Sequence, residues 1–296
     1  MKLIEPSCEY WEQQDVVTHI ARCARVCYAN EKNTNSYEKD KDLVERLINY
    51  GHVSMLRHAT LYYIIPLEIL RDKFNVSAQS IKYFIDYFTN SPYIHKVYDA
   101  KHVYISTNKQ FIEDNPCENL KFYAVTPERF FEYEVTKPIR RFTFYLTTQI
   151  STTRELNRVS PNNIAEQSTR YCNYNKQKFG KQINICKPHW YDTANCDDKA
   201  LYDSYCRKAE LTYFRLLERG YLPQDARGVL PLDTVSKVIY TYTFEEWVNI
   251  INKRYYGTTG TPHPNAKIII GMVLDKFKEM GYITDDENQT NTPTCS

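Results

Sequence analysis

The segment "RRFTFYLTTQ" (140–149) leaves a chain few options. Phe142, Phe144 and Leu146 fall on one side of a two-residue period, and Arg141, Thr143 and Tyr145 on the other. That alternation belongs to a β-strand half buried against a core. "VSKVIYTYT" (235–243) reads as another strand, and "TLYYIIP" (60–66) as one ended by Pro66. "KVYDAKHVYIST" (96–107) reads as a hairpin turning near Asp99.

Between these stretches the apolar period changes to that of helices. Val17, Ile20, Ala21, Ala24 and Cys27 mark a helix over 14–31, with Asp15 placed to cap it. A second helix follows and stops near Gly51. Residues 67–93 read as mostly helical, and "STTRELNR" (151–158) as a short helix. A long amphipathic helix runs from about 197 to Gly220, and helices cover 244–256 and the stretch from Pro262 to Tyr282. "PQDARGVLP" (223–231) is expected to be a loop. Strands and helices are interspersed, with no repeat and no linker. The expectation is one α+β domain over residues 1–283, an antiparallel or mixed sheet flanked by helices, with a disordered tail over 284–296.

Composition narrows the class. The net charge of +2 gives no whole-chain field for nucleic acid or a membrane surface. The first residues contain no apolar core of signal-peptide length, and no apolar run approaches a membrane span. The nine cysteines include no CxxC pair, so free thiols and a cytoplasmic location are expected.

Several constellations invite chemistry. His19, Cys23 and Cys27 share a helix face, but one helix rarely supplies three metal ligands, and core packing is the favoured reading. Cys172 has Arg170 nearby but no neighbouring histidine, so a buried thiol is favoured over a nucleophile. His52 and His58 read as histidines satisfied at a helix end. The arginines are more informative. "NRVSPNNIAEQSTRYCNY" (157–174) holds Arg158 and Arg170 with Glu166 as its one acid, while Arg227 lies in a Pro-flanked loop and Arg254 at a helix end. Guanidinium forks suit phosphate, and Ser168, Thr169 and Tyr171 add donors and a stacking face. Spacing alone leaves a nucleotide site and a solvated loop with ion pairs equally open.

Four segments in order resemble the flavin-dependent thymidylate synthases, the ThyX family. "GHVSMLRHAT" (51–60) is similar to the family's Gly-His…Ser…His segment. Arg158-Val159-Ser160, seven residues, then Ser168-Thr169-Arg170-Tyr171 resembles its signature of Arg-His-Arg, seven residues, and Ser-x-Arg-Tyr. "ARGVLP" (226–231) resembles its Ala-Arg…Leu-Pro loop. "EEWVNIINKR" with "GTTGTPHP" resembles the helix ending in a catalytic arginine and the segment after it.

The resemblance implies conversion of dUMP to dTMP, with methylenetetrahydrofolate giving the carbon, FAD carrying the hydride and NADPH reducing the flavin. It implies substrate contacts from Glu155, Arg158, Glu166, Gln167, Ser168, Thr169, Arg170 and Arg227. Arg254 would polarise the uracil ring. Flavin contacts would come from Ser54, Arg158, Val159, Ser160, Glu166, Thr243, Glu245 and Asn249. No metal is implied. A homotetramer with shared sites is implied, Arg170 serving a neighbour's pocket.

The chain departs from the pattern on the flavin side. Val159 and Ser160 replace the signature's His and second Arg, and Pro161 makes 160–163 read as a turn. Arg57 stands where the family usually has Glu, a candidate replacement charge. Thr243 and Glu245 stand where many members have Asn and Arg. Two alternatives therefore stay open: modification of another pyrimidine nucleotide, or nucleotide binding without catalysis.

Overall fold

The structure, a computed structural model, describes residues 1–30, 35–72, 74–161 and 163–284. The tail expected beyond 284, the last residue of the expected 14–31 helix and Asn162 of the expected turn lie outside the described residues.

The strands are β1 (Lys2–Ile4), β2 (Ser7–Tyr10), β3 (Thr60–Pro66), β4 (Ile94–Tyr98), β5 (His102–Asn108), β6 (Ala124–Val125), β7 (Arg141–Gln149), β8 (Ile164–Glu166), β9 (Asn184–Cys186) and β10 (Val235–Thr243). The helices are α1 (Val16–Val26), α2 (Tyr37–Asn49), α3 (Leu67–Arg71), α4 (Val76–Tyr87), α5 (Lys109–Asp114), α6 (Pro127–Phe131), α7 (Ile150–Asn157), α8 (Cys196–Glu218), α9 (Pro223–Ala226), α10 (Phe244–Ile251) and α11 (Pro264–Glu279).

One antiparallel sheet has the order β2-β7-β10-β8, a second β4-β5-β3-β6, and β1 pairs with β9 in parallel. This is the expected α+β class.

In the first sheet, β7 and β10 pair along their full length, from Val235 opposite Gln149 to Thr243 opposite Arg141. Phe142, Phe144 and Leu146 pack with Val238, Tyr240 and Tyr242 against α10 and α11, around Trp247, Ile270 and Phe277. Trp247 donates its indole N–H to the Phe142 carbonyl at 3.1 Å. Tyr145 and Ile239 on the reverse face meet Trp11 and the α1 residues Cys23 and Val26. The strand is therefore buried on both faces, not half buried as the alternation predicts, because α1 covers the polar side.

That polar side is linked by hydrogen bonds. The Thr143 and Thr241 hydroxyls meet at 2.8 Å across the ladder. His19 Nε2 reaches Thr143 at 3.2 Å, and His58 Nδ1 reaches Thr241 at 2.9 Å. Arg141 donates to the Thr60 hydroxyl and the Arg57 carbonyl. Burial pushes His19 down to about 4 and His58 down to about 3, so both rings are neutral.

The second sheet packs Ile65, Val103 and Ile105 against Ile81, Phe84 and Ile85 of α4. Its hairpin turns where expected: Asp99 Oδ1 accepts from the Lys101 and His102 N–H groups, both at 2.7 Å. Asp15 caps α1 by accepting from Thr18 N at 2.9 Å, and Gly51 takes the left-handed conformation after α2. Residues 223–231 are not simply a loop. Pro223 starts the single turn α9, and 227–229 continue as a 3-10 turn.

Burial also makes stability depend on pH. His19, His58 and, by the same cause, His95 (down to about 4) titrate near 6.5 when unfolded. Their folded values are depressed, so stability is present above about pH 6.5 and is lost as pH falls toward the folded values. Each contributes up to about 1.4 kcal/mol per pH unit over that window. Urea unfolding followed by tryptophan fluorescence should show a lower midpoint at pH 5 than at pH 7. An unchanged midpoint would contradict neutral burial of these rings.

Candidate functional site

The polar stretch 157–174 is held in place by the sheet. β8 pairs antiparallel with β10, with Glu166 opposite Val238, and Gln167 N extends the ladder by donating to Lys237 O at 2.8 Å. Ser168 N donates to the Cys27 carbonyl at 2.9 Å, tying the chain to the end of α1. A three-residue strand at an edge leaves almost no periodicity, which is why sequence reasoning finds no strand here.

Two cavities open on either side of Glu166 and Ser168, which line both. The smaller, about 630 Å³, is walled by Thr153 and Arg154 of α7, by Gln167 and Thr169, and by Arg227 and Leu230 after α9. Glu166 Oε1 accepts from Thr153 at 2.7 Å and from Ser236 at 2.5 Å, so its carboxylate is fixed in orientation. Arg227 Nη1 donates to Thr169 Oγ1 at 3.0 Å. A cavity of this size with hydroxyl and guanidinium donors suits a small anionic ligand.

The larger cavity, about 860 Å³, lies between α1, α2 and the 3-10 turn Val53–His58. Ser54, His52, Lys39, Arg46 and Tyr171 line it. Arg25 also lines it but is ion-paired with buried Asp40, which joins α1 to α2.

The expected site residues divide by place. Glu166, Gln167, Ser168, Thr169 and Arg227 converge on the smaller cavity, and Ser54 faces the larger. Arg170 is exposed, 3.5 Å from Gln224 and over the Tyr171 ring, and lines neither. Arg254 sits in a π-helical turn, Asn252–Tyr256, that extends α10, and such turns recur at functional positions. Its Nε and Nη2 donate to the Glu155 carbonyl at 3.3 and 3.2 Å, satisfying a carbonyl at the end of α7. Arg158 caps that helix and is exposed. One chain thus keeps Arg254, Glu155 and Arg158 away from the walls of the Arg227 cavity.

The residues expected on the flavin side lie as follows. Val159 packs against the main core, so it offers an apolar contact where the family pattern has a donor. Ser160 bonds the Tyr242 hydroxyl. Thr243 is buried and forms a capping box with Glu246, accepting from Glu246 N at 3.2 Å. Glu245 and Asn249 are exposed one turn apart on α10, outside both cavities. Arg57 donates to Gln110 at 2.7 Å beside Tyr93 and lines neither cavity.

The readings of packing fit the structure. Cys172 is buried, with its thiol 3.9 Å from the Cys27 carbonyl. His19, Cys23 and Cys27 form no metal-ligating group, and none occurs among the described residues. His52 is exposed at the larger cavity while His58 is fully buried, so they do not act together. Sequence reasoning missed Arg154, although its four-residue spacing from Arg158 puts both on one helix face.

The two cavities thus share a fixed carboxylate, and one of them is lined by guanidinium and hydroxyl donors. Residues 129–279 match the family described as thymidylate synthase complementing protein, just over half of the 296 residues, and the chain belongs to that family. No curated protein matches the chain. Among solved structures it is similar to a UMP/dUMP methylase, PolB, from Streptomyces cacaoi bound with 5-Br dUMP, at 14% identity and a TM-score of 0.41, covering 94% of this chain and 93% of that one. The same methylase bound with 5-Br UMP gives 13% identity, a TM-score of 0.41 and coverage of 94% and 92%. No helix among the described residues is long and apolar enough to cross a membrane.

Val159→His should lower stability by about 1–3 kcal/mol, because the ring is forced against the apolar cluster without a partner. Urea denaturation measures this. An unchanged midpoint would mean that Val159 does not pack as described.

Proposed function

We propose that the chain methylates a uridine monophosphate nucleotide at C5, converting dUMP to dTMP in the manner of a flavin-dependent thymidylate synthase. The observation that carries the reading is the convergence of Glu166, Gln167, Ser168, Thr169 and Arg227 on one cavity, in a chain of this family.

In this reading Arg227 and the Ser168 and Thr169 hydroxyls hold the phosphate. Glu166, fixed by Thr153 and Ser236, orients the nucleoside and separates it from the second ligand. Arg254 acts on the ring: the Glu155 carbonyl fixes two of its nitrogens, and Nη1 has no partner among the described residues. A guanidinium held this way can favour the ionised pyrimidine without reorganising. A neighbouring chain would bring Arg254, Arg158 and Arg170 to the cavity, which is the shared-site homotetramer the family resemblance implies. Cys172 is buried, so it does not attack the ring. The cytoplasm is the proposed location.

FAD is part of the proposal. The larger cavity fits it in size; its lining mixes the cations Lys39 and Arg46 with the acids Asp42 and Glu45, and Ser54 shares the lining with Glu166. When bound, FAD would carry the hydride, with NADPH as reductant and methylenetetrahydrofolate as carbon donor. The fit is to these residues and not to Val159, Ser160 or Thr243. That difference favours a second reading, in which the chain binds the nucleotide without catalysis.

Tritium release from dUMP labelled at C5 tests the proposal. Release should require FAD, NADPH and methylenetetrahydrofolate, and Arg227→Ala should lower it about tenfold to a hundredfold. Binding of dUMP with no tritium release under any cofactor combination would leave the second reading.

A further inference from the structure

Arg154 is the cavity residue that neither the motif resemblance nor the spacing of the polar stretch assigns. It lines the smaller cavity together with Arg227, Ser168 and Thr169. No carboxylate pairs with either arginine among the described residues, and the one acid in the cavity wall is Glu166. Two guanidiniums facing one cavity repel each other, and a single carboxylate does not neutralise both. A dianion between them removes the repulsion and receives two forks of donors.

The helix explains how Arg154 comes to be there. Thr152 and Thr153 of α7 turn inward, and Thr153 bonds Ile150 O and Glu166. The next residue, about 100° further round, lies on the helix flank above the cavity. Arg158, one turn on, is exposed but does not line it.

We infer that Arg154 and Arg227 of the same chain clamp the phosphate of a nucleoside monophosphate, Arg154 from the α7 side and Arg227 from the α9 side. This inference rests on the nucleotide reading proposed above, but not on the identity of the base or on catalysis. Glu166 faces the clamp as the acceptor group, which places the nucleoside hydroxyls on its side of the cavity and the phosphate away from it.

Calorimetry on the full chain tests this, with dUMP, UMP, dCMP, dAMP, deoxyuridine and FAD as probes, on wild type, Arg154→Ala and Arg154→Lys. A melting curve verifies that each variant folds, which is expected because Arg154 is exposed. Arg154→Ala should weaken whichever monophosphate the wild type binds by about tenfold to a hundredfold and leave deoxyuridine unchanged. Arg154→Lys should recover part of the loss, since it keeps the charge but not the fork. Unchanged monophosphate affinity in Arg154→Ala, equal loss for deoxyuridine, or loss for FAD alone would each overturn the clamp. If wild type prefers a monophosphate other than a uridine nucleotide and still depends on Arg154, the clamp stands and the dUMP reading fails. If dUMP binds equally to wild type and Arg154→Ala, the dUMP reading stands and the clamp fails. Absence of binding for every monophosphate would overturn both.

Discussion

The antiparallel pairing of β7 with β10 is the constraint on which the remainder depends. Its two faces demand different chemistry. One is aromatic and aliphatic, against α10 and α11; the other carries the Thr143–Thr241 contact, with a neutral histidine on each hydroxyl. A slip of one residue would drive threonines into the apolar cluster and phenylalanines onto the imidazoles, so the register is fixed by burial rather than by a turn. The site hangs from the ends of this ladder. β7 runs directly into α7, which supplies Thr153 and Arg154. β10 carries β8 and Glu166 on its edge, and at Thr243 it caps the helix that leads to Arg254.

Much of this was legible in the sequence where the signal is local and repeated. The long strands, the capped helix at Asp15, the turn at Asp99 and the stop at Gly51 each follow from a few adjacent residues. The short strands β1, β2, β8 and β9 were not legible, since three or four residues show no usable period. The two-sided burial of β7 could not be read from alternation, because buried threonines and an arginine look like a solvent face until α1 is seen to cover them. Motif resemblance found Arg227, Ser168 and Glu166. It passed over Arg154, which only the folded wall of the cavity reveals.

Val159 and Ser160 show what a departure from a family pattern means physically. Neither is left as a gap. The valine joins the packing of the first sheet, and the serine bonds a tyrosine of β10. These positions serve the scaffold, while Ser54, Lys39 and Arg46 face the larger cavity.

Glu166 and Ser168 form a partition common to both cavities. Two ligands that touch one wall are coupled when either one shifts it. Whatever one of them does to the position or hydrogen bonding of that carboxylate alters the affinity of the other by the same factor in each direction. If both cavities take ligands, occupancy of one is felt in the other through that shared wall.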